Sequence, residues 1–352
     1  MIRQVGRLRR IHWGPMPPRS DQHPKRMTIP ASYFGIVLGL AGLGGAWRAA
    51  HQLWGLPALI GEALMAVGSL VWAVLMALYV QKWIVRRDDA IAETKNAIQC
   101  CFIGLVGVAT LLIAGASLPY SRPLAFGLFA LGALYTVAFG VWRTGGLWMG
   151  GRDPATTTPV LYLPTVAGAF VMATQASALG HADWGQYAFG VGLFSWLAVE
   201  SVIWQRLYNA PEMALALRPT MGIQLAPPSV GAVAYLSITQ GAPGLFAHAL
   251  IGYALLQVLL LARLFPWIRQ PSFAPSYWAA SFGLVALATA PLRMILRGDS
   301  GPITLIAPCT FVLANVVVGV LATATLVKAF KGELLPRAAQ AAPAAPRDAA
   351  SR

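Results

Sequence analysis

The stretch WAASFGLVALA, from Trp278 to Ala288, carries no charged residue. Inside it one ring, Phe282, stands among Ala279, Ala280, Ser281 and Gly283, side chains too small to enclose it. A ring so placed faces lipid, fills a gap between helices, or plugs a hole. Which of these holds depends on whether the surrounding segment lies in a soluble core or in a bilayer.

Composition decides that point. The chain has 352 residues, 57% hydrophobic and 11% charged, whereas a soluble domain carries about 25% charged residues. An apolar excess sustained over this length must turn part of its surface to lipid. The apolar runs are long and unbroken, and a β-barrel would show alternating segments of about ten residues instead. Helices satisfy their backbone groups within one segment, so an all-α integral membrane protein is expected.

The net charge of +14 reads as membrane topology, not as a nucleic-acid partner. The basic residues lie between apolar spans, and no nucleic-acid motif is present. Cys100, Cys101 and Cys309 all sit in apolar stretches and form neither a disulfide framework nor a metal site. His51, His181 and His248 show no metal-ligand spacing, and no nucleophile–base cluster or phosphate-binding glycine loop occurs. An enzyme, a metal and a cofactor are therefore not expected. Residues 1–30 read as a basic tail without the apolar core of a signal peptide. Residues 332–352 read as an Ala/Pro-rich tail.

Ten spans of about 20 residues are expected near 31–50, 59–82, 97–117, 121–143, 164–180, 185–204, 220–240, 244–264, 275–295 and 302–328. With these spans, 22 of the 26 Lys and Arg residues fall on one side, leaving Arg48, Arg122, Arg293 and Arg297 on the other. The positive-inside rule then places both termini in the cytoplasm, which requires an even number of spans. The odd spans recur every 55–67 residues, each followed by a short outer connection and a returning span. The domain 31–331 is thus five helical hairpins in tandem, with all odd helices parallel and able to close into a ring.

The odd spans carry no Asp, Glu, Lys or Arg in their bodies. They carry small, hydroxyl and amide residues: Gly35 and Gly39, Gly107 and Thr110, Gly168 and Thr174, Gln224 and Pro227, Ser281 and Gly283. Small residues permit close helix packing; hydroxyls and amides recurring on the same five helices also suit a polar, uncharged lumen.

Several stretches resemble one family. PASYFGIVLGLAGL, LYLPTVAGAF, RPTMGIQLAPPSVGAVAYLS, LLARLFPWI and WAASFGLVAL are similar to the bacterial tellurite-resistance TehA proteins, the plant slow anion channels and the C4-dicarboxylate transporters. The likeness runs from Pro30 to Lys331 and is most specific in TMGIQLAP and LFPWI. It implies a homotrimer with one pore per protomer, an inner ring of the five odd helices, and anion conduction. It also implies a Phe from the ninth helix occluding the pore, here Phe282. The resemblance departs at Val37 and near Gly107, where the family pattern has proline.

The remaining polar residues admit two readings each. Pro227 and Pro228 break the seventh span, as a packing kink or as a kink that shapes the pore. Pro164 opens the fifth span. Glu62 lies in the first turn of its span, where the helix dipole favours an anion. Glu200 lies deeper, either paired with a cytoplasmic arginine such as Arg143 or Arg206 or serving transport. Arg293 and Arg297 share one helix face and either concentrate anions at the outer mouth or contact headgroups. The leading expectation is a passive channel for small inorganic or carboxylate anions in a bacterial inner membrane. The alternative is a C4-dicarboxylate, sulfite or tellurite carrier, with proton coupling needing a titratable group in the path.

Overall fold

The computed structural model describes residues 28–334. The two tails expected from the sequence lie outside the described residues, apart from the three positions of each that adjoin the domain. Twelve α-helices follow in order. The first six are α1 (Phe34–Trp54), α2 (Ala58–Val85), α3 (Arg87–Lys95), α4 (Gln99–Phe102), α5 (Leu105–Ser117) and α6 (Arg122–Trp148). The others are α7 (Gly168–Ala178), α8 (Ala182–Asn209), α9 (Ala226–Ile238), α10 (Leu245–Ile268), α11 (Ser281–Leu296) and α12 (Ile303–Phe330).

The chain is an all-α, multi-pass membrane protein. Among the described residues nine helical spans are long and apolar enough to cross a bilayer. The 21 residues of α1 reach about 32 Å, near the hydrocarbon thickness, but Arg48 and His51 make its last turns polar. Local chemistry sets the ends. Gly55 stops α1 in the left-handed region at φ 69°, which glycine adopts without strain. Ser121 caps α6 by accepting from the Leu124 N–H at 3.3 Å, and Pro123 occupies the first turn, where its missing N–H costs nothing.

Burial divides the spans into two sets. In Gln99–Ser117, Pro159–Ala178, Leu215–Ile238 and Pro275–Leu296, 83, 72, 89 and 72% of the most apolar window is buried. In α2, α6, α8, α10 and α12 the share is only 22–33%. The latter expose Leu59, Leu134, Phe194, Leu259 and Leu305, side chains suited to lipid. Helix α1 belongs with the buried set, from Phe34 through Ala41 and at Leu43, Ala46, Ala49 and Ala50. The pairs α1–α2, α5–α6, α7–α8, α9–α10 and α11–α12 pack together. The buried helices also touch in sequence: α1 on α5, α5 on α7, α7 on α9, α9 on α11, and α11 back on α1.

All the buried spans begin irregularly, which the sequence reading did not anticipate. A 3-10 turn at Ala31–Tyr33 precedes α1, and α4 breaks at Ile103–Gly104 before α5. A 3-10 turn and a π-helix, Pro159–Tyr162 and Leu163–Ala167, precede α7. Eleven 3-10 residues, Leu215–Leu225, precede α9, and Pro275–Ala280 precedes α11. Pro227 and Pro228 therefore stand in the first turn of α9, at the switch from 3-10 to α geometry, rather than inside an α-helix. Pro164 lies within the π-helical turn.

The connecting helix α3 brings Glu93 beneath the first span. Its carboxylate accepts from the Ala31 N–H and from Lys82 Nζ, both at 2.8 Å. Lys82 and Glu93 are both buried. Lys82, counted from sequence only as a cytoplasmic charge, is thus half of an interior ion pair that anchors the start of the α1 span.

Candidate functional site

Two cavities lie along the buried helices. The larger, about 440 Å³, is bordered by Gly45 and Arg48 of α1, Gly115 of α5, Gln175 of α7, Ser237 of α9 and Thr289 of α11. These residues all come from the C-terminal halves of their helices, so the five helices run in the same direction. The smaller, about 20 Å³, is bordered by the other ends: Gly35, Phe102, Tyr162, Ile223 and Trp278. Phe282 and Val230 border both. The Phe282 ring is 7% exposed and stands where the wide, partly polar space and the narrow apolar one adjoin. A Cβ placed on Gly42 would stand 3.8 Å from it, ordinary van der Waals contact.

The structure sorts the residues that the sequence pattern grouped together. Gly35 and Pro227 border the narrow cavity, and Thr174 and Arg293 the wide one. The others border neither. Gly107 and Gly168 face the same residue, Thr136 of α6, from α5 and α7, so both serve helix contact. Thr110 accepts from Trp72 Nε1 at 3.1 Å and so turns toward α2. Gly39 admits the Trp278 ring and Ser281 Oγ, while Ser281 donates to the Trp278 carbonyl at 2.7 Å. At Gly283 a Cβ would stand 2.7 Å from the Ala226 nitrogen, so glycine there lets α11 meet the start of α9. Arg297 donates to the Gly241 and Leu236 carbonyls at 2.7 and 2.9 Å, closing the C-terminus of α9.

Glu200 differs from its expected pairing. Neither Arg143 nor Arg206 contacts it. Its oxygens accept from Tyr162 Oη, from Trp196 Nε1 and Trp204 Nε1 at 2.7 Å each, from Tyr253 Oη at 2.6 Å and from Gln224 Nε2 at 3.2 Å. Five neutral donors thus hold one carboxylate. Two of them, Tyr162 and Gln224, belong to the irregular lead-ins of the α7 and α9 spans, so Glu200 ties those segments to α8 and α10. The aromatic spacing Trp196–Glu200–Trp204 on one helix face was the sequence signal for this site. Glu62 pairs with Arg48, and Tyr120 donates to it as well.

Five buried helices that border two adjoining, largely uncharged cavities suit a membrane conduit. The sequence profile described as voltage-dependent anion channel matches residues 28–326, and the chain belongs to that family. It is a channel or transporter for small anions, not an enzyme. It is similar to the tellurite resistance protein TehA homolog of Haemophilus influenzae, 34% identical across 88% of this chain and 93% of that protein. It is also similar to the guard cell S-type anion channel SLAC1 of Arabidopsis thaliana, 23% identical across 90% of this chain and 59% of the plant protein. The S-type anion channel SLAH3 of the same plant is 24% identical across 89% of this chain and 50% of its own length.

Proposed function

We propose that the chain is a passive channel for small anions whose path is closed by Phe282. Ten helices cross the membrane as five hairpins, with the odd spans as an inner ring around the pore. The observation that carries this reading is the place of Phe282, which borders both cavities. The cyclic contacts of the five buried helices support the ring. An apolar constriction blocks ions sterically or by excluding water, and among the described residues no carboxylate borders either cavity to repel an anion. The resemblance adds a homotrimer in a bacterial inner membrane, with both termini on the basic side. Mass measurement in mild detergent should give three copies.

A carrier for C4-dicarboxylate, sulfite or tellurite is the second reading. Tyr162 favours it, because this ring borders the narrow cavity and its hydroxyl donates to Glu200. Among the described residues, Glu200 is the carboxylate one hydrogen bond from the narrow cavity, and it has no basic partner there, whereas Glu62 beside the wide cavity is paired with Arg48. Reconstitution with reversal potentials in chloride, nitrate and malate gradients tests both. Ohmic, proton-independent anion current supports the channel; saturating flux driven by a pH gradient supports the carrier.

A further inference from the structure

Two arginines border the wide cavity, and they are not equivalent. Arg48 is engaged on every side. Its Nε and Nη2 hold the two Glu62 oxygens at 2.8 and 2.7 Å, and it donates to the Gly115 and Ala116 carbonyls at 3.4 and 3.2 Å. Glu62 neutralises its charge, and its donors close the C-terminus of α5. Arg293 has no carboxylate partner among the described residues. Its hydrogen bond there is from Nη1 to Ser237 Oγ at 2.9 Å, which leaves Nε and Nη2 without protein partners. Gln175 borders the same cavity, and its amide makes no hydrogen bond among the described residues. A guanidinium with open donors and an amide with open donors, neither bonded to a carboxylate because Glu62 is held by Arg48, form a surface that lacks only an anion.

We propose that Arg293, assisted by Gln175, is an anion-binding site in the wide vestibule, and that its single charge selects monovalent over divalent anions. The proposal deepens the conduit reading above and rests on it. Arg293 occupies the last turn of α11, where the helix dipole favours a cation. Ser237 fixes one edge of the guanidinium and leaves the rest facing the cavity. Attraction to one positive charge grows with the first power of the anion's charge, but the cost of removing its water grows with the square. One uncompensated charge on a partly dry wall therefore suits nitrate or chloride better than a dicarboxylate. Binding is shallow, because one charge without a closed cage lets the ion leave toward Phe282.

The test uses nitrate and malate as probes, in two measurements. In vesicles, the half-saturating nitrate for flux through Phe282→Ala is expected to rise about tenfold in the double variant with Arg293→Gln, the size of an electrostatic concentration effect. Arg293→Lys should restore most of it, and Arg297→Gln should leave it unchanged. In detergent, nitrate should raise the melting temperature of the unaltered protein more than malate at equal ionic strength. Arg293→Gln should abolish that difference. An unchanged half-saturation, or a nitrate shift that survives Arg293→Gln, overturns the site. A larger response to malate than to nitrate overturns the monovalent selection. If Phe282→Ala carries no current while the nitrate shift and its loss in Arg293→Gln are both seen, the gate reading fails and the binding site stands.

Discussion

The two halves of the passage are built from the same five helices and have opposite character. Toward the N-terminal ends, the irregular lead-ins and the first turn of α7 crowd Phe102, Tyr162, Phe170 and Trp278 around about 20 Å³. Toward the C-terminal ends, regular α-helix carries Gly45, Thr174, Gln175 and Thr289 around about 440 Å³. Charge follows the same division. The carboxylate near the narrow half, Glu200, stands behind the wall and is saturated by five neutral donors. The cation in the wide half, Arg293, faces the cavity with open donors. Phe282 borders both cavities, and in the proposed channel it is where one character gives way to the other.

The largest expected effect is at that boundary. Phe282→Ala should raise anion conductance by about tenfold or more, the change given by lowering a barrier by about 1.4 kcal/mol. Neighbouring Ser281 and Gly283 cannot refill the space, since both face helix contacts. Stability should fall by less than the 3–5 kcal/mol typical of a buried Phe→Ala change, roughly speaking, because one side of the ring meets open cavity. Unchanged current with a large drop in melting temperature would make the ring a packing residue and erase the boundary.

Phe170 sharpens the contrast. It is fully buried, and Gly192 of α8 and Gly231 of α9 both leave space for its ring. Phe170→Ala should therefore cost about 3–5 kcal/mol, read by thermal or denaturant unfolding, with little gain in conductance. A conductance gain equal to that of Phe282→Ala would mean that the narrow half gates as well.

Glu200→Gln asks whether the rear anchor is structural. A glutamine offers one acceptor oxygen where five donors converge, and its amide group opposes some of them. Stability should fall by about 1–3 kcal/mol from unsatisfied buried donors, and current should remain insensitive to a pH gradient. Loss of pH-driven flux in a protein that still folds would transfer the weight to the carrier reading.

The smallest effect is expected at Glu62. The Arg48 pair is partly exposed, so Glu62→Gln should cost under about 1 kcal/mol. It would free a second positive charge beside the wide cavity and lower the half-saturating nitrate modestly. A lowering larger than the rise produced by Arg293→Gln would make Arg48 the stronger anion site and invert the comparison between the two arginines.

Much of this molecule was legible in its residues. Low charge and long apolar runs determined the membrane class, because only helices satisfy their backbone within each apolar segment. The spans whose bodies carry no charge, apart from Arg48 and Arg293 near their ends, are also the ones the structure buries most. The stretch around Phe282 marked a ring among small neighbours, which the structure places at the border of both cavities. Tertiary structure alone decided which small residues do what. Gly35, Gly39, Gly107 and Gly168 look alike in sequence, yet only Gly35 borders a cavity, while Gly39 admits Trp278 and the other two seat Thr136. The reason is physical. An inner helix is apolar on every face, so its periodicity does not distinguish neighbour from lumen. The same holds for charge: Arg48 and Arg293 are equal by position and type, and only the approach of Glu62 from α2 neutralises one and leaves the other facing the passage.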